Sequence, residues 1–135
     1  MLTEPALMAD VNKEKVRDVL TRSFFELTKH WGLSRQEEAK LLGWDYGEKR
    51  TALDSLRKGK TIIPKDQDKI ERIIDLINIH KSLRILFPYN REAVYDWVKI
   101  KRERFDSYSA LDVMLADGKE GISAIRHYLD YERTR

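Results

Sequence analysis

An apolar stripe with helical spacing runs through the first quarter of the chain. It consists of Val16, Leu20, Phe24, Leu27 and Trp31, separated by four, four, three and four residues. This spacing places all five side chains on one face of an α-helix of about 18 residues. Gly32 follows, where glycine commonly ends a helix. Since no strand-like alternation longer than a few residues occurs in the sequence, the patterns predict an all-α fold.

Two short helices are predicted next. Ser34 and Glu37 match a capping box, and Asp45 and Glu48 repeat its spacing. Gly43 separates the two helices, which gives the order expected of a helix-turn-helix. Three small or apolar side chains would pack these helices against the core: Ala39, Leu53 and Leu56. The same arrangement also occurs as a plain packing unit, so a prediction of DNA binding requires a second feature of the sequence.

The second feature is a concentration of positive charge directly after the turn. Residues 49–65 carry six basic groups and one acidic group, a local charge of +5, whereas the whole chain carries +3. Such a patch attracts a phosphate backbone, although a solvated helix face is the alternative interpretation. The residues predicted to contact DNA lie on or just after the outer face of the second short helix: Arg50, Thr51, Asp54, Lys58 and Lys60.

A long fourth helix is predicted from Asp66 to Leu86 or Phe87, where Pro88 ends it. One apolar face comprises Ile70, Ile73, Ile74 and Ile77, and the other comprises Leu76, Ile79, Leu83 and Leu86. We therefore expect the helix to connect two cores. The face around Ile79, Leu83 and Leu86 could form part of a homodimer interface or pack against the chain's own C-terminal helices. Both alternatives are open at this point.

The C-terminal part is predicted to contain three further helices. Asn90 caps the first, which runs through Trp97, and Ser109 caps a short one that ends near Gly118. The last spans about residues 120–131. It offers an apolar face with nearby charges that could bind a partner or close the domain's own core: Ile122, Ile125, Tyr128 and Leu129, with Arg126, Arg133 and Arg135.

Several function classes lack the residues that they need. The chain has no cysteine, and His30, His80 and His127 lack the spacing that places two histidines on one metal. No glycine-rich phosphate loop or nucleophile elbow occurs. We therefore predict no catalytic residue, no metal and no cofactor, and hence a protein that is not an enzyme.

The composition predicts a cytoplasmic protein without a membrane segment. Charged residues make up 36% of the chain, and no stretch approaches the roughly 18 to 20 apolar residues of a membrane span. Residues 1–12 contain no Lys or Arg, so the basic region of a signal peptide is missing.

The C-terminal half contains Trp97, Phe105, SALDVMLADG at 109–118 and GISAIRHYLDYERTR at 121–135, and HKSLRILFP lies at the junction of the two parts. In these features the sequence from about residue 16 to 132 resembles the Xre/MbcA/ParS antitoxins of toxin–antitoxin pairs. Two features depart from that family. Ala110 replaces a common proline, and the segment 43–59 is about four residues longer, which predicts an extra helical turn or a wider loop.

The resemblance implies an organisation and a set of partners. Four segments are expected: a flexible N-terminus at 1–12, a Xre-like helix-turn-helix domain at 13–66, a connecting helix at 67–87 and a toxin-binding domain at 88–135. The implied partners are operator DNA and a RES-domain toxin, an NAD-consuming enzyme. The C-terminal region would cover the toxin's active site, and the N-terminal domain would repress the antitoxin's own operon.

Two other functions are compatible with the sequence. One is a dimeric helix-turn-helix repressor without a toxin partner, and the other, which no residue pattern supports, is a small enzyme of unknown type. A homodimer is expected in either regulatory role, because operators read by helix-turn-helix proteins are usually two-fold.

Overall fold

A computed structural model describes residues 13–135; the segment 1–12, predicted to be a flexible N-terminus, lies outside them. The described part contains seven α-helices and two single-turn 3₁₀ helices, at Trp97–Lys99 and Glu103–Phe105, and no β-strand. The all-α prediction is therefore confirmed. The α-helices are α1 Glu14–His30, α2 Arg35–Leu41, α3 Tyr46–Arg57, α4 Gln67–Leu86, α5 Arg91–Asp96, α6 Ala110–Asp117 and α7 Lys119–Thr134.

The ends of the helices follow the local signals in the sequence. Ser34 and Glu37 form the capping box of α2, with the Glu37 N–H donating to Ser34 Oγ at 3.1 Å. Asp45 caps α3 through the Glu48 N–H at 3.2 Å. Ser109 likewise caps α6. α3 is 12 residues long.

The core is one continuous cluster of buried side chains, which extends from Val16 of α1 to Leu129 of α7. α4 lies at its centre, against α1 on one side and α7 on the other. Contacts between Lys119 and Glu71 near one end, and between Ser82 and Asp130 near the other, show that α4 and α7 run parallel. The N-terminal and C-terminal halves therefore share the long helix and its packing.

The second apolar face of α4 packs within the chain. Ile79 and Leu83 are both 0% exposed, and Leu86 is half-buried. The suggestion that Ile79 and Leu83 form a homodimer interface is therefore wrong. α7 and α5 pack against α4 and bury its apolar side chains, which agrees with the alternative that this face packs against the C-terminal helices.

Candidate functional site

Arg72 of α4 contacts the corner between α2 and α3. Gly43 has φ +76°, a conformation that favours glycine. A Cβ atom there would lie 2.9 Å from Cζ of Arg72. Arg72 donates to the Leu41 carbonyl at 3.2 Å and is itself bound by Asp68 at 3.1 Å. The positive φ therefore favours glycine at this corner, and a larger residue would also displace the end of the Arg72 side chain.

A buried carboxylate joins the first three helices. Glu38 of α2 is only 3% exposed and accepts a hydrogen bond of 2.5 Å from Thr28 Oγ1 of α1. Arg57 of α3 lies 3.3 Å from the same carboxylate. Burial raises the pKa of Glu38, and the hydrogen bond from Thr28 and the charge of Arg57 oppose that effect. These contacts fix the angle between α2 and α3.

Sequence reasoning missed Glu38, although a signal was present. Glu38 precedes Leu41 and Leu42 by three and four residues, so it shares their inward face. A charged residue at such a position needs a buried partner.

The outer face of α3 is exposed where the sequence predicted DNA contacts. Arg50 and Thr51 are both exposed, and the Arg50 guanidinium lies 5.0 Å from the centre of the Tyr46 ring. Lys58 is exposed at the end of the helix, and Lys60 is exposed just after it. These residues thus lie on an accessible surface, and their contact with DNA stays a prediction.

The Asp54 carboxylate forms ion pairs with two cations of its own chain. Its carboxylate lies 2.9 Å from Nζ of Lys58 and 3.6 Å from Arg35 of α2. The hydrogen bond with Lys58, together with the charges of Lys58 and Arg35, lowers the pKa of Asp54. Because a carboxylate repels phosphate, Asp54 is better placed to position these two cations than to bind a DNA backbone.

The apolar face of α7 belongs to the core. Ile122, Ile125 and Leu129 are 0%, 2% and 1% exposed. Their prediction as toxin-binding residues is therefore corrected: they close the chain's own core, because α7 packs on α4 and α6. The crossing with α6 is close at Gly121, where a Cβ atom would lie 2.5 Å from the Val113 carbonyl oxygen.

The charged residues predicted beside that face make ion pairs within the chain. Arg126 lies 2.7 Å from Asp75 of α4 and 3.4 Å from Asp130, and its side chain is only 17% exposed. Arg133 approaches Asp130 at 3.9 Å. Arg135 pairs with Glu132 at 3.2 Å, but its side chain stays 63% exposed. Of these arginines, Arg135 is therefore the most accessible to a partner.

Tyr128 takes part in a cluster of aromatic and arginine side chains. Its ring is stacked on Trp97 at 6.2 Å and meets Phe105 edge-on at 5.3 Å. Arg102 lies 4.5 Å from the Trp97 ring centre, and Arg104 donates a hydrogen bond to the Tyr128 hydroxyl. Sequence reasoning missed both arginines. Arg104 contacts Tyr128 across 24 residues, whereas Arg102 contacts Trp97 only five residues away through a turn that is not α-helical.

A strained loop leads from this cluster to α6. Asp106 and Ser107 have φ of +53° and +69°, in the left-handed region. Backbone hydrogen bonds close the loop: the Arg102 N–H donates to Tyr108 O at 3.0 Å and the Ser107 N–H donates to Arg102 O at 2.9 Å. The flanking Ile100 and Tyr108 are 50% and 58% exposed, so the loop presents apolar surface in a defined conformation.

The described residues hold no group of three metal-ligating side chains. His30 and His80 both stack on Tyr95, at 4.4 and 5.3 Å, whereas His127 contacts Ser123. Between residues 13 and 135, no helix is long and apolar enough to cross a membrane.

No protein-family model matches the chain. Among curated proteins, it is similar to the uncharacterised protein y4oB of Sinorhizobium fredii, with 32% identity over 133 residues, which is 98% of each chain. This chain belongs to the same family as y4oB. Since the alignment covers almost all of both proteins, the family relationship includes the α2–α3 corner and the C-terminal helices together.

Proposed function

We propose that the protein is a cytoplasmic, DNA-binding regulator that places α3 in the major groove. The observation that carries this proposal is an exposed, mainly basic outer face on a helix whose inner side is buried. Arg50 and Thr51 would read base edges, and Lys58 and Lys60 would contact phosphates. A second copy of the chain would place a second α3 on a two-fold operator.

We further propose that this regulator is the antitoxin of a toxin–antitoxin pair. The resemblance of residues 109–135 to the Xre/MbcA/ParS antitoxins supports a RES-domain toxin as the partner. With Ile122, Ile125 and Leu129 buried, the toxin would contact the accessible side chains around Tyr128 and Arg135, and this region of the antitoxin would cover the toxin's active site. The chain itself would perform no catalysis.

A dimeric repressor without a toxin is the second candidate. One observation favours it: the apolar face of α7, which was the expected docking surface, is buried in the chain's own core. In this case the C-terminal helices would support the long helix and serve assembly alone.

A salt-titrated mobility shift on the DNA upstream of the protein's own reading frame tests the first proposal. Replacement of Lys58 and Lys60 by Ala should weaken binding on all sequences and lower the slope of log affinity against log salt by about 0.9 per lost contact. Replacement of Arg50 and Thr51 should change sequence preference instead. Equal affinity of the wild type and the Lys58→Ala/Lys60→Ala variant would overturn the assignment of the phosphate contacts.

Co-purification with the product of the neighbouring reading frame tests the antitoxin proposal. A RES-domain protein that co-purifies with the wild type, and is retained less by a Tyr128→Ala variant, is the expected result. A neighbourhood without such a protein would favour the repressor.

A further inference from the structure

A basic groove lies beside the predicted DNA-binding face. It has a volume of about 510 Å³ and runs between α1 and the end of α3, next to the start of α2. Five basic residues and two acidic residues line it. The basic residues are Arg22, Lys29, Arg35, Arg57 and Lys58, and the acidic residues are Glu26 and Asp54.

The two carboxylates of the groove are already engaged by cations or by histidine. Asp54 binds Lys58 and Arg35, and Glu26 lies 3.8 Å from His30. Because five basic residues line the groove against two acidic ones, it carries an excess of positive charge, to which Arg22 and Lys29 of α1 contribute from outside the α2–α3 unit.

The wall of the groove is held firmly. Arg57 is bound to the buried Glu38 at 3.3 Å, and its guanidinium lies 5.7 Å from the centre of the Phe25 ring. By contrast, Arg22 is 67% exposed and pairs only at the surface with Asp18 at 3.2 Å. Lys29 is also exposed. A surface ion pair such as Arg22–Asp18 is weak, and its arginine readily exchanges the carboxylate for a phosphate.

The groove is continuous with the face of α3, because Asp54 and Lys58 belong to both. We propose that it binds the sugar–phosphate backbone of the DNA duplex, with Arg22 and Lys29 as phosphate contacts. The two residues are seven positions apart, or about 10 Å along α1. Seven positions are about two helical turns, so both side chains lie on the same face of α1. The inference rests on the proposed DNA binding and extends its site to α1.

The test uses the full chain and a short random-sequence DNA duplex, with fluorescence anisotropy measured over a range of KCl concentrations. The variant is Arg22→Ala/Lys29→Ala. The matched control is Lys81→Ala/Arg84→Ala, which removes the same charge from exposed positions on α4. Thermal melting of each variant checks that its fold is intact.

Loss of two phosphate contacts lowers the salt slope by about 1.8. Between about 50 and about 200 mM salt, the wild type and the control should therefore lose about twelvefold more affinity than the Arg22→Ala/Lys29→Ala variant. The Arg22→Ala/Lys29→Ala variant could instead keep the slope and affinity of the wild type while Lys58→Ala/Lys60→Ala weakens binding. That result would overturn the assignment of phosphate contacts to the groove and leave the proposed function intact. Failure of the wild type to bind any duplex would overturn both.

Discussion

α3 in the N-terminal half and α7 in the C-terminal half are both amphipathic, yet they differ in what they leave to solvent. α3 buries Leu53 and Leu56 and exposes a basic outer face. α7 buries its isoleucines against α4 and α6, and Arg126 on its polar side is bound by Asp75. An apolar stripe alone therefore does not mark a docking face. We therefore propose a partner at the exposed basic face of α3 rather than at the apolar face of α7.

The largest expected effect is a loss of stability when a buried side chain on the apolar face of α7 is truncated. Ile125→Ala should lower the free energy of unfolding by about 2–5 kcal/mol, because it removes core contacts and leaves a cavity. Ile100→Ala is the control: Ile100 is 50% exposed, so its loss should cost less than about 0.5 kcal/mol. Urea denaturation measures both. An Ile125→Ala protein as stable as the wild type would restore this face as a docking surface.

Two glutamates, one in each region, should respond to pH in opposite directions. Burial raises the pKa of Glu38 beside α3, whereas a hydrogen bond from Lys119 lowers the pKa of Glu71 beside α7. The stability that Glu38 contributes is thus fully present below the unfolded pKa of about 4.3 and is lost as pH rises through its folded pKa. The contribution of Glu71 is present above that unfolded pKa and is lost as pH falls through its own folded pKa.

Urea unfolding of the wild type, Glu38→Gln and Glu71→Gln over a pH series measures this difference. The stability of the wild type relative to Glu38→Gln should fall with rising pH, and its stability relative to Glu71→Gln should rise. Both changes should be smaller than the effect of Ile125→Ala. Parallel pH profiles for the two variants would show that the environments of the two carboxylates do not differ in this way.

The smallest expected effect is a change in DNA affinity when Asp54 is replaced. Its carboxylate neutralises Arg35 and Lys58 on the predicted DNA-binding surface. Asp54→Asn should therefore tighten binding to any duplex by a few-fold at low salt, and the gain should shrink as salt screens the charges. Asp117→Asn, at an exposed site at the end of α6, is the matched control. Weaker binding by Asp54→Asn would instead indicate that Asp54 contacts DNA directly.

The sequence predicted best what short-range interactions decide. The apolar period of α1 and the caps at Ser34, Asp45 and Ser109 all lie within a few residues of the structures that they specify. The accessible basic face of α3 followed from the same helical geometry. Periodicity identified the apolar face of α7 as well, but it could not show that α4 runs parallel to α7 and covers that face.

Contacts between distant segments were beyond the reach of sequence patterns. Glu38 binds Arg57 across 19 residues, and Arg104 binds Tyr128 across 24. The groove beside α3 combines Arg22 and Lys29 of α1 with Arg57 of α3 in the same way. Apart from Glu38, whose place on an inward helix face was a signal, these charged residues look like ordinary surface charges until the fold brings distant segments together.

The most direct test of the difference between the two regions is a map of the DNA contact on the intact protein. Isotope-labelled full chain, titrated with the DNA upstream of its own reading frame, would be followed by two-dimensional NMR. We predict that amide signals at Arg35, Arg50, Thr51 and Lys58, and those of Arg22 and Lys29, shift on binding, while those of 110–134 stay in place. Shifts confined to the C-terminal helices, or none at concentrations well above those of specific binding, would contradict the assignment of DNA binding to α3.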